Sequence, residues 1–252
     1  MRAFFALSCV VVVGCSSSGA TPTRDASVTD DGSVPTDAGI ADRAVPTSDA
    51  GLPGVCPDPA LDFCDDFQSG ALSSEWTTGA TGSGLLKVTA AEDPKAPLAL
   101  SVRAVGGSAS VRHTLVPTKL ATLVFFARVE TMTAEATLVR LDLRAGSHED
   151  VVLGPFPNTN RVAVYLDHIP DAGEKVRTEV ANFPLDRYAR FDLTLPAAGG
   201  AIQPLHLLVN GDIRAYSLPI PDPSTTPGFT LGATANSGDA VLWVDNVMLT
   251  NR

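Results

Sequence analysis

Apolar and polar residues alternate with a period of two along most of the chain from residue 98 onward. This period is typical of β-strands, and no stretch keeps the period of 3.6 that a helix shows over three turns. The pattern therefore predicts an all-β domain. Its clearest strands are predicted at residues 98–104, 120–130, 136–145, 161–169, 175–180, 188–195, 205–211 and 239–250.

Turn-forming residues separate these runs. Clusters such as VGGS, RAGSHED, PNTN, PDAG and PAAGG are rich in residues that favour turns, and RAGSHED places the triplet 148–150 in a turn. Asn210-Gly211 predicts a type I′ hairpin turn, because both residues tolerate positive φ. Many short strands at this spacing indicate that residues 55–252 form a two-sheet antiparallel sandwich.

The first fourteen residues have a different pattern. Arg2 is followed by an apolar stretch, residues 3–13, and Gly14 stands directly before Cys15. The stretch is shorter than the roughly 20 residues that a membrane-spanning helix needs. Residues 1–14 are therefore interpreted as a secretory signal peptide.

The segment Val12-Val13-Gly14-Cys15 resembles the lipobox of bacterial lipoproteins. This resemblance implies that Cys15 becomes the mature N-terminus and carries acyl chains that hold the protein stably at a membrane. The alternative is an ordinary signal peptide followed by an unmodified cysteine. Because Ser16 replaces the Asp associated with inner-membrane retention, the resemblance implies a lipid anchor in the outer membrane of a bacterial envelope.

Residues 15–54 are interpreted as the lipidated N-terminus and a disordered linker. The segment is built from Ser, Thr, Asp, Ala, Pro and Gly, which bury too little apolar area to offset the entropy of ordering. The whole chain carries a formal net charge of −10. An acidic protein without a basic stripe repels phosphate backbones, so we expect no nucleic-acid partner.

The four cysteines have separate fates in this interpretation. Cys9 leaves with the signal peptide and Cys15 takes lipid, so Cys56 and Cys64 remain as one disulfide pair in an oxidising compartment. No cysteine is left for a catalytic thiol or for a four-cysteine zinc site.

Several segments suggest a fold family. The domain opens with FCDDFQSG and Trp76, and later runs through RYARFDLTL, LHLLVNGDIRAYSL and GFTLGATANSGDAVLWVDNVMLT. This order resembles the concanavalin A-like, laminin G-like jelly roll. The resemblance implies that the last strand pairs beside the first, and it leaves the activity open, since this fold includes lectins, glycanases and adhesion modules.

A calcium site is expected where the terminal strands meet. Asp245 and Asn246 interrupt an apolar run, and a carboxylate there needs a partner. If the strands are adjacent, Asp245 lies near Asp65 and Asp66, and clustered carboxylates are what calcium prefers. The alternative is that Asp245 bonds backbone amides while Asp65 and Asp66 face solvent. Calcium is the one cofactor that the sequence suggests.

A mixed-charge patch around one aromatic ring is the candidate ligand-binding site. Alternate positions on three predicted strands place on one polar face Arg140, Asp142 and Arg144, then Arg161, Tyr165 and Asp167, then Lys175, Arg177 and Glu179. Sugar-binding sites combine a ring with charged groups in this way. The alternative is a solvent face with cross-strand ion pairs. Trp243 is expected in the core, and Trp76 is expected to be exposed.

The sequence contains no recognised catalytic motif. There is no Gly-x-Ser-x-Gly, no His-Glu-x-x-His and no phosphate loop. The three acids that family-16 glycanases place on one strand are also missing, since the nearest strand offers only Asp142 between two arginines. We therefore expect a non-catalytic surface lipoprotein that binds a carbohydrate or another extracellular ligand. The alternatives are a glycoside hydrolase-like enzyme with an atypical acid pair and a structural envelope protein.

Overall fold

The computed structural model describes residues 56, 61–91, 97–116, 120–142, 145–195, 204–217, 227–235 and 237–251. Cys15 and the segments 1–14 and 15–54 lie outside these residues, so the signal peptide, the lipid anchor and the linker stay predictions. The described residues contain no helix that is long and apolar enough to cross a membrane.

The described part of the chain folds into fifteen β-strands and no helix. The strands are β1 Phe63–Asp65, β2 Thr77–Thr81, β3 Leu85–Ala90, β4 Leu98–Val105, β5 Ser108–Thr114, β6 Ala121–Met132, β7 Ala136–Asp142, β8 His148–Pro155, β9 Arg161–Ile169, β10 Val176–Pro184, β11 Ala189–Leu195, β12 Pro204–Val209, β13 Asp212–Ser217, β14 Gly228–Thr234 and β15 Asp239–Asn251.

The strands form two antiparallel sheets. The eight-stranded sheet has the order β13-β12-β11-β6-β15-β4-β3, with β1 paired to β15. The seven-stranded sheet has the order β10-β9-β8-β7-β14-β5-β2. The prediction of an all-β, two-sheet antiparallel sandwich is confirmed.

The hydrophobic core lies between the inner faces of the two sheets. Alternate positions of β6 and β11 are fully buried, and Phe125 and Phe191 are among them. The rings of these two residues stack with their centroids 5.1 Å apart. The seven-stranded sheet contributes Leu141, Leu153 and Phe229. Because one face of each strand is committed to this core, the polar residues between them must point to the outer faces.

Positive φ angles mark a hairpin turn between β12 and β13 and a bulge in β15. Asn210 and Gly211 have φ angles of 53° and 88° between β12 and β13, as a type I′ turn requires. The anomalous pair Asp245 and Asn246 lies at a β-bulge, where the register of β15 against β6 shifts and Asn246 has a φ of 48°. A bulge tolerates polar residues because it interrupts the regular ladder.

The first and last strands are neighbours, as the resemblance implied. β1 pairs antiparallel with β15, with Phe63 opposite Leu249 and Asp65 opposite Val247. A disulfide joins Cys56 to Cys64 on β1, so the predicted pairing is confirmed. It fixes the start of the domain to a strand that is itself held by the last strand.

The sequence interpretation missed β8. The triplet His148-Glu149-Asp150 was expected in a turn, but it begins β8, which pairs with β7 on one side and β9 on the other. The three strands of the expected patch are therefore not consecutive neighbours, because β8 separates β7 from β9.

Candidate functional site

A row of side chains crosses the outer face of the seven-stranded sheet, which is the face away from the core. The register places seven positions opposite one another on successive strands. From β10 to β2 they are Arg177, Asp167, Asp150, Arg140, Thr230, Arg112 and Thr77. Three arginines and two aspartates therefore share one line across the strands.

An open groove of about 420 Å³ lies on this face over β5, β14 and β7. Its residues are mostly small or carry hydroxyl groups, which leaves space above the sheet, and charged side chains stand at the β7 side. The lining consists of Ser108, Ser110, Thr137, Leu138, Arg140, Asp142, Thr230, Gly232, Ala233 and Thr234. Such a mixture of hydroxyl, guanidinium and carboxylate groups suits the hydroxyl-rich surface of a sugar.

A buried aspartate organises the charged side of the groove. Asp150 on β8 accepts hydrogen bonds from Nε and Nη2 of Arg140, both at 2.9 Å. Its Oδ2 also lies 3.7 Å from Nε2 of His148, whose side chain is 23% exposed. The hydrogen bond to Asp150 raises the pKa of Arg140 above its ordinary value. The guanidinium of Arg140 and the imidazole of His148 thus lie side by side at Asp150.

A second ion pair stands beside the first. Arg112 on β5 reaches over β14 and contacts Oδ2 of Asp142 through Nη1. Gly228 makes this path possible, since a Cβ at this position would lie 2.8 Å from Nη2 of Arg112. The pair brings another guanidinium group to the same side of the groove.

A third cluster lies at the β9–β10 edge of the same face. Arg177 bonds both carboxylate oxygens of Asp167 and both of Glu135, and its guanidinium lies 4.6 Å from the ring centroid of Tyr165. Lys175 adds a hydrogen bond to Asp167 at 3.1 Å. Burial alone would raise the pKa of Asp167, but the bonds from Arg177 and Lys175 outweigh it and lower that pKa. The cluster places a guanidinium group against the Tyr165 ring.

Most of the predicted ligand-binding residues lie on the outer face of the seven-stranded sheet. By the register these are Arg140, Asp142, Tyr165, Asp167, Arg177 and Glu179. Glu179 on β10 lies opposite Tyr165 on β9. Arg161 is at the other end of β9, where its Nε donates to Asn182 at 2.6 Å. Arg144 lies outside the described residues. A ligand role for these side chains stays a prediction.

His148, Asp150 and Arg112 are site residues that sequence reasoning missed. The composition of RAGSHED predicts a turn for the first two, and Arg112 comes to the groove only through the pairing of β5 with β14. The sequence does contain one signal for strand β8, the short apolar run after Asp150. This run continues to Gly154 and is buried throughout.

The expected calcium ligands have other partners. Asp65 is buried and accepts three hydrogen bonds, from the backbone N–H groups of Phe67 and Ser73 and from Nε1 of Trp76. Asp66 caps the backbone N–H of Gln68, and Asp245 accepts from the N–H of Asn246 at 2.8 Å.

No three His, Cys, Asp or Glu side chains of the described segments come together in a way that could hold a metal ion. Calcium binding therefore stays a prediction without support from this geometry.

The expectation that Trp76 is exposed is wrong, because its ring packs edge-on against Phe63 and Phe229 while its N–H bonds Asp65. Trp243 is buried, but in a small cluster with Ala99 and Tyr188 that is separate from the main core.

A buried carboxyl group also pairs with a histidine on the inward-facing side of β8 and β9. Glu149 is 3% exposed, and its Oε1 lies 2.5 Å from Nδ1 of His168, which is 37% exposed. Burial raises the pKa of Glu149 above its ordinary value, and the hydrogen bond to His168 only partly opposes this shift.

This raised pKa predicts a loss of stability as pH rises. The folded state binds the proton of Glu149 more tightly than the unfolded state, so the contribution is full below pH 4.5 and is lost as pH rises through the folded-state pKa. We expect Glu149→Gln to flatten this loss, measured as the free energy of urea unfolding over a pH series. The exposed Glu179→Gln on β10 serves as the control, and an identical pH slope in the Glu149 variant would contradict the prediction.

No family model matches the chain, and no curated protein sequence matches it. Solved structures do match. The endo-β-1,4-glucuronan lyase of the fungus Trichoderma reesei has a TM-score of 0.58 at 15% identity, over 76% of this chain and 96% of that one. A cellulose-induced protein, Cip1, has a TM-score of 0.56 at 16% identity, over 75% and 97%. An alginate lyase of Pseudomonas aeruginosa has a TM-score of 0.50 at 12% identity, over 61% and 83%.

The chain has the jelly-roll sandwich fold of these proteins. The jelly-roll prediction is therefore confirmed. The expectation of a non-catalytic binding module is wrong, because the similar structures include glucuronan and alginate lyases, which are carbohydrate-processing enzymes. This finding agrees better with the alternative, a glycoside hydrolase-like enzyme with an atypical acid pair. At 12 to 16% identity, however, the likeness carries the fold alone.

Proposed function

We propose that this protein is an enzyme that cleaves an acidic polysaccharide in the groove on the outer face of the seven-stranded sheet. The observation that carries the proposal is the position of Asp150, which bonds Arg140 twice at 2.9 Å and lies 3.7 Å from Nε2 of His148. The names of two similar structures, a glucuronan lyase and an alginate lyase, support an acidic substrate.

β-Elimination is the reaction that this cluster fits best. The reaction needs a cation to neutralise the uronate carboxylate and a base to remove the proton from the neighbouring carbon. Arg140 is 41% exposed and supplies the cation. With Nε2 of His148 turned toward Asp150, Nδ1 is the ring atom available to take the proton. A carbon–carbon double bond then forms, and the glycosidic oxygen leaves and is protonated from solvent.

Hydrolysis by an atypical acid pair is the second candidate, because Asp142 and Asp150 lie on neighbouring strands beside the groove. Hydrolysis needs one carboxylic acid that protonates the leaving oxygen. Both carboxylates instead accept hydrogen bonds from guanidinium groups, Asp142 from Arg112 and Asp150 from Arg140. This difference favours elimination.

An assay of bond cleavage tests the proposal and separates the two reactions. The purified protein is incubated with sodium alginate, with polyglucuronate and with a neutral β-glucan, and both new reducing ends and the ultraviolet absorbance of unsaturated uronate are followed. We expect both signals to rise together on an acidic polymer only. Reducing ends without absorbance would support hydrolysis. No cleavage of any polymer would overturn the proposal and favour the structural envelope protein.

The predicted lipid anchor at Cys15 would place this groove at the outer membrane of a bacterial envelope. An enzyme held there by lipid would meet extracellular polysaccharide. Both the anchor and the location are predictions from the sequence.

A further inference from the structure

Arg112 has donor groups that no described residue uses. Its Nη1 contacts Asp142, and its side chain is 37% exposed beside the groove. Within the described segments, Nε and Nη2 of Arg112 have no hydrogen-bond partner. Arg140 differs, because its Nε and Nη2 both bond Asp150. The edge of a guanidinium that carries Nε and one Nη is the edge that binds a carboxylate with two parallel hydrogen bonds.

A glycine leaves room for the Arg112 guanidinium above β14. Gly228 on β14 lies directly beneath it, since a Cβ there would be 2.8 Å from Nη2 of Arg112 and 2.9 Å from the carbonyl oxygen of His113. Asp142 on β7 holds the guanidinium from the far side. Arg112 is thereby laid across β14 instead of extending freely into solvent.

The two guanidinium groups are held from neighbouring strands. Arg112 contacts Asp142 on β7, and Arg140 bonds Asp150 on β8, which lies opposite Arg140. The two aspartates are offset by one strand spacing, about 5 Å across the sheet, and by two residues, about 7 Å along the strands. One polysaccharide chain lying across this face can therefore contact both guanidinium groups.

The geometry points to Arg112 as a second carboxylate-binding position, which holds another uronate of the same polymer beside the one at Arg140. Arg112 is a positioning residue in this assignment, because it binds the polymer away from the reacting bond. The inference rests on the proposed function and adds to it that the polymer is bound through two of its carboxylate groups.

The test separates substrate binding from turnover. Arg112→Gln and Arg112→Lys are compared with Arg190→Gln, which removes an arginine that also bonds an aspartate, Asp192, but on the eight-stranded sheet. We expect Arg112→Gln to raise KM for the acidic polymer about 10- to 100-fold, the effect of losing hydrogen bonds to a charged group, with kcat nearly unchanged. The Lys variant, which keeps the charge, should lie between the parent and the Gln variant. Thermal unfolding verifies that each variant is folded.

A binding measurement keeps the inference and the proposed function distinguishable. The same proteins are run on native gels that contain sodium alginate or polyglucuronate, where binding slows migration. Cleavage with a KM for Arg112→Gln equal to that of Arg190→Gln would overturn the inference and leave the proposed function intact. Retardation that depends on Arg112 without any cleavage would support the binding position and overturn the enzyme. Neither cleavage nor retardation would overturn both.

Discussion

We expect His148→Gln to lower the rate of polysaccharide cleavage by about 10²- to 10⁴-fold, which is the usual contribution of a general base. Gln has a similar size and keeps a polar group near Asp150, but it cannot take a proton near neutral pH. The loss should therefore appear in kcat, with KM for the acidic polymer changed much less. The measurement is the initial rate of formation of unsaturated uronate at saturating and at low polymer concentration.

The matched control is His206→Gln. His206 lies on β12 in the eight-stranded sheet, on the other side of the sandwich from the groove. This variant should keep the parent rate. A His148→Gln protein that cleaves as fast as the parent would remove the proposed base. If Asp150→Asn then still abolished cleavage, the chemistry would have to be reassigned to Asp150 and Arg140.

Asp65→Ala is expected to cause the largest loss of stability, about 3 kcal/mol or more. The carboxylate is 7% exposed and accepts hydrogen bonds from the N–H groups of Phe67 and Ser73 and from Nε1 of Trp76. Each buried donor that is left without a partner costs about 1–3 kcal/mol. Urea unfolding followed by tryptophan fluorescence measures the change, since Trp76 reports directly on this site.

The neighbouring Asp66→Ala is the control for that experiment. Among the described residues, the Asp66 carboxylate accepts only the N–H of Gln68, and it is partly buried, so its loss should cost about 1 kcal/mol or less. Equal effects of the two substitutions would contradict the role given to Asp65. If the effect of Asp65→Ala disappeared when a chelator was added, the predicted calcium site would explain it better than these hydrogen bonds.

Much of the fold could be predicted because the core imposes a period of two on strands that are buried on one face. The alternation in the first half of β6 and in β11 follows the buried and less buried positions of those strands. Asn210-Gly211 predicted its hairpin for a local reason, the positive φ of both residues. Such signals depend only on the strand and its own turn.

The site could not be predicted to the same degree, because it depends on pairing between distant parts of the chain. The triplet that begins β8 has the composition of a turn, but it pairs with β7 and β9, where Arg140 and His168 bond its two acids. Likewise, Trp76 is in a polar segment, and its burial follows from the acceptor that Asp65 offers. Neither relationship has a signature in the local pattern.

The pairing of β15 also has consequences for how the chain folds. This strand lies between β6 and β4 and pairs with β1, so the centre of the eight-stranded sheet is formed by its C-terminal strand. A ribosome produces β4 and β6 long before their shared neighbour, and contacts that close such large loops form slowly. The eight-stranded sheet therefore cannot be completed until β15 has emerged, and the edges of β4 and β6 lack their native partner until then. A chain exported in the unfolded state through a narrow channel would meet this requirement without a separate device to delay folding.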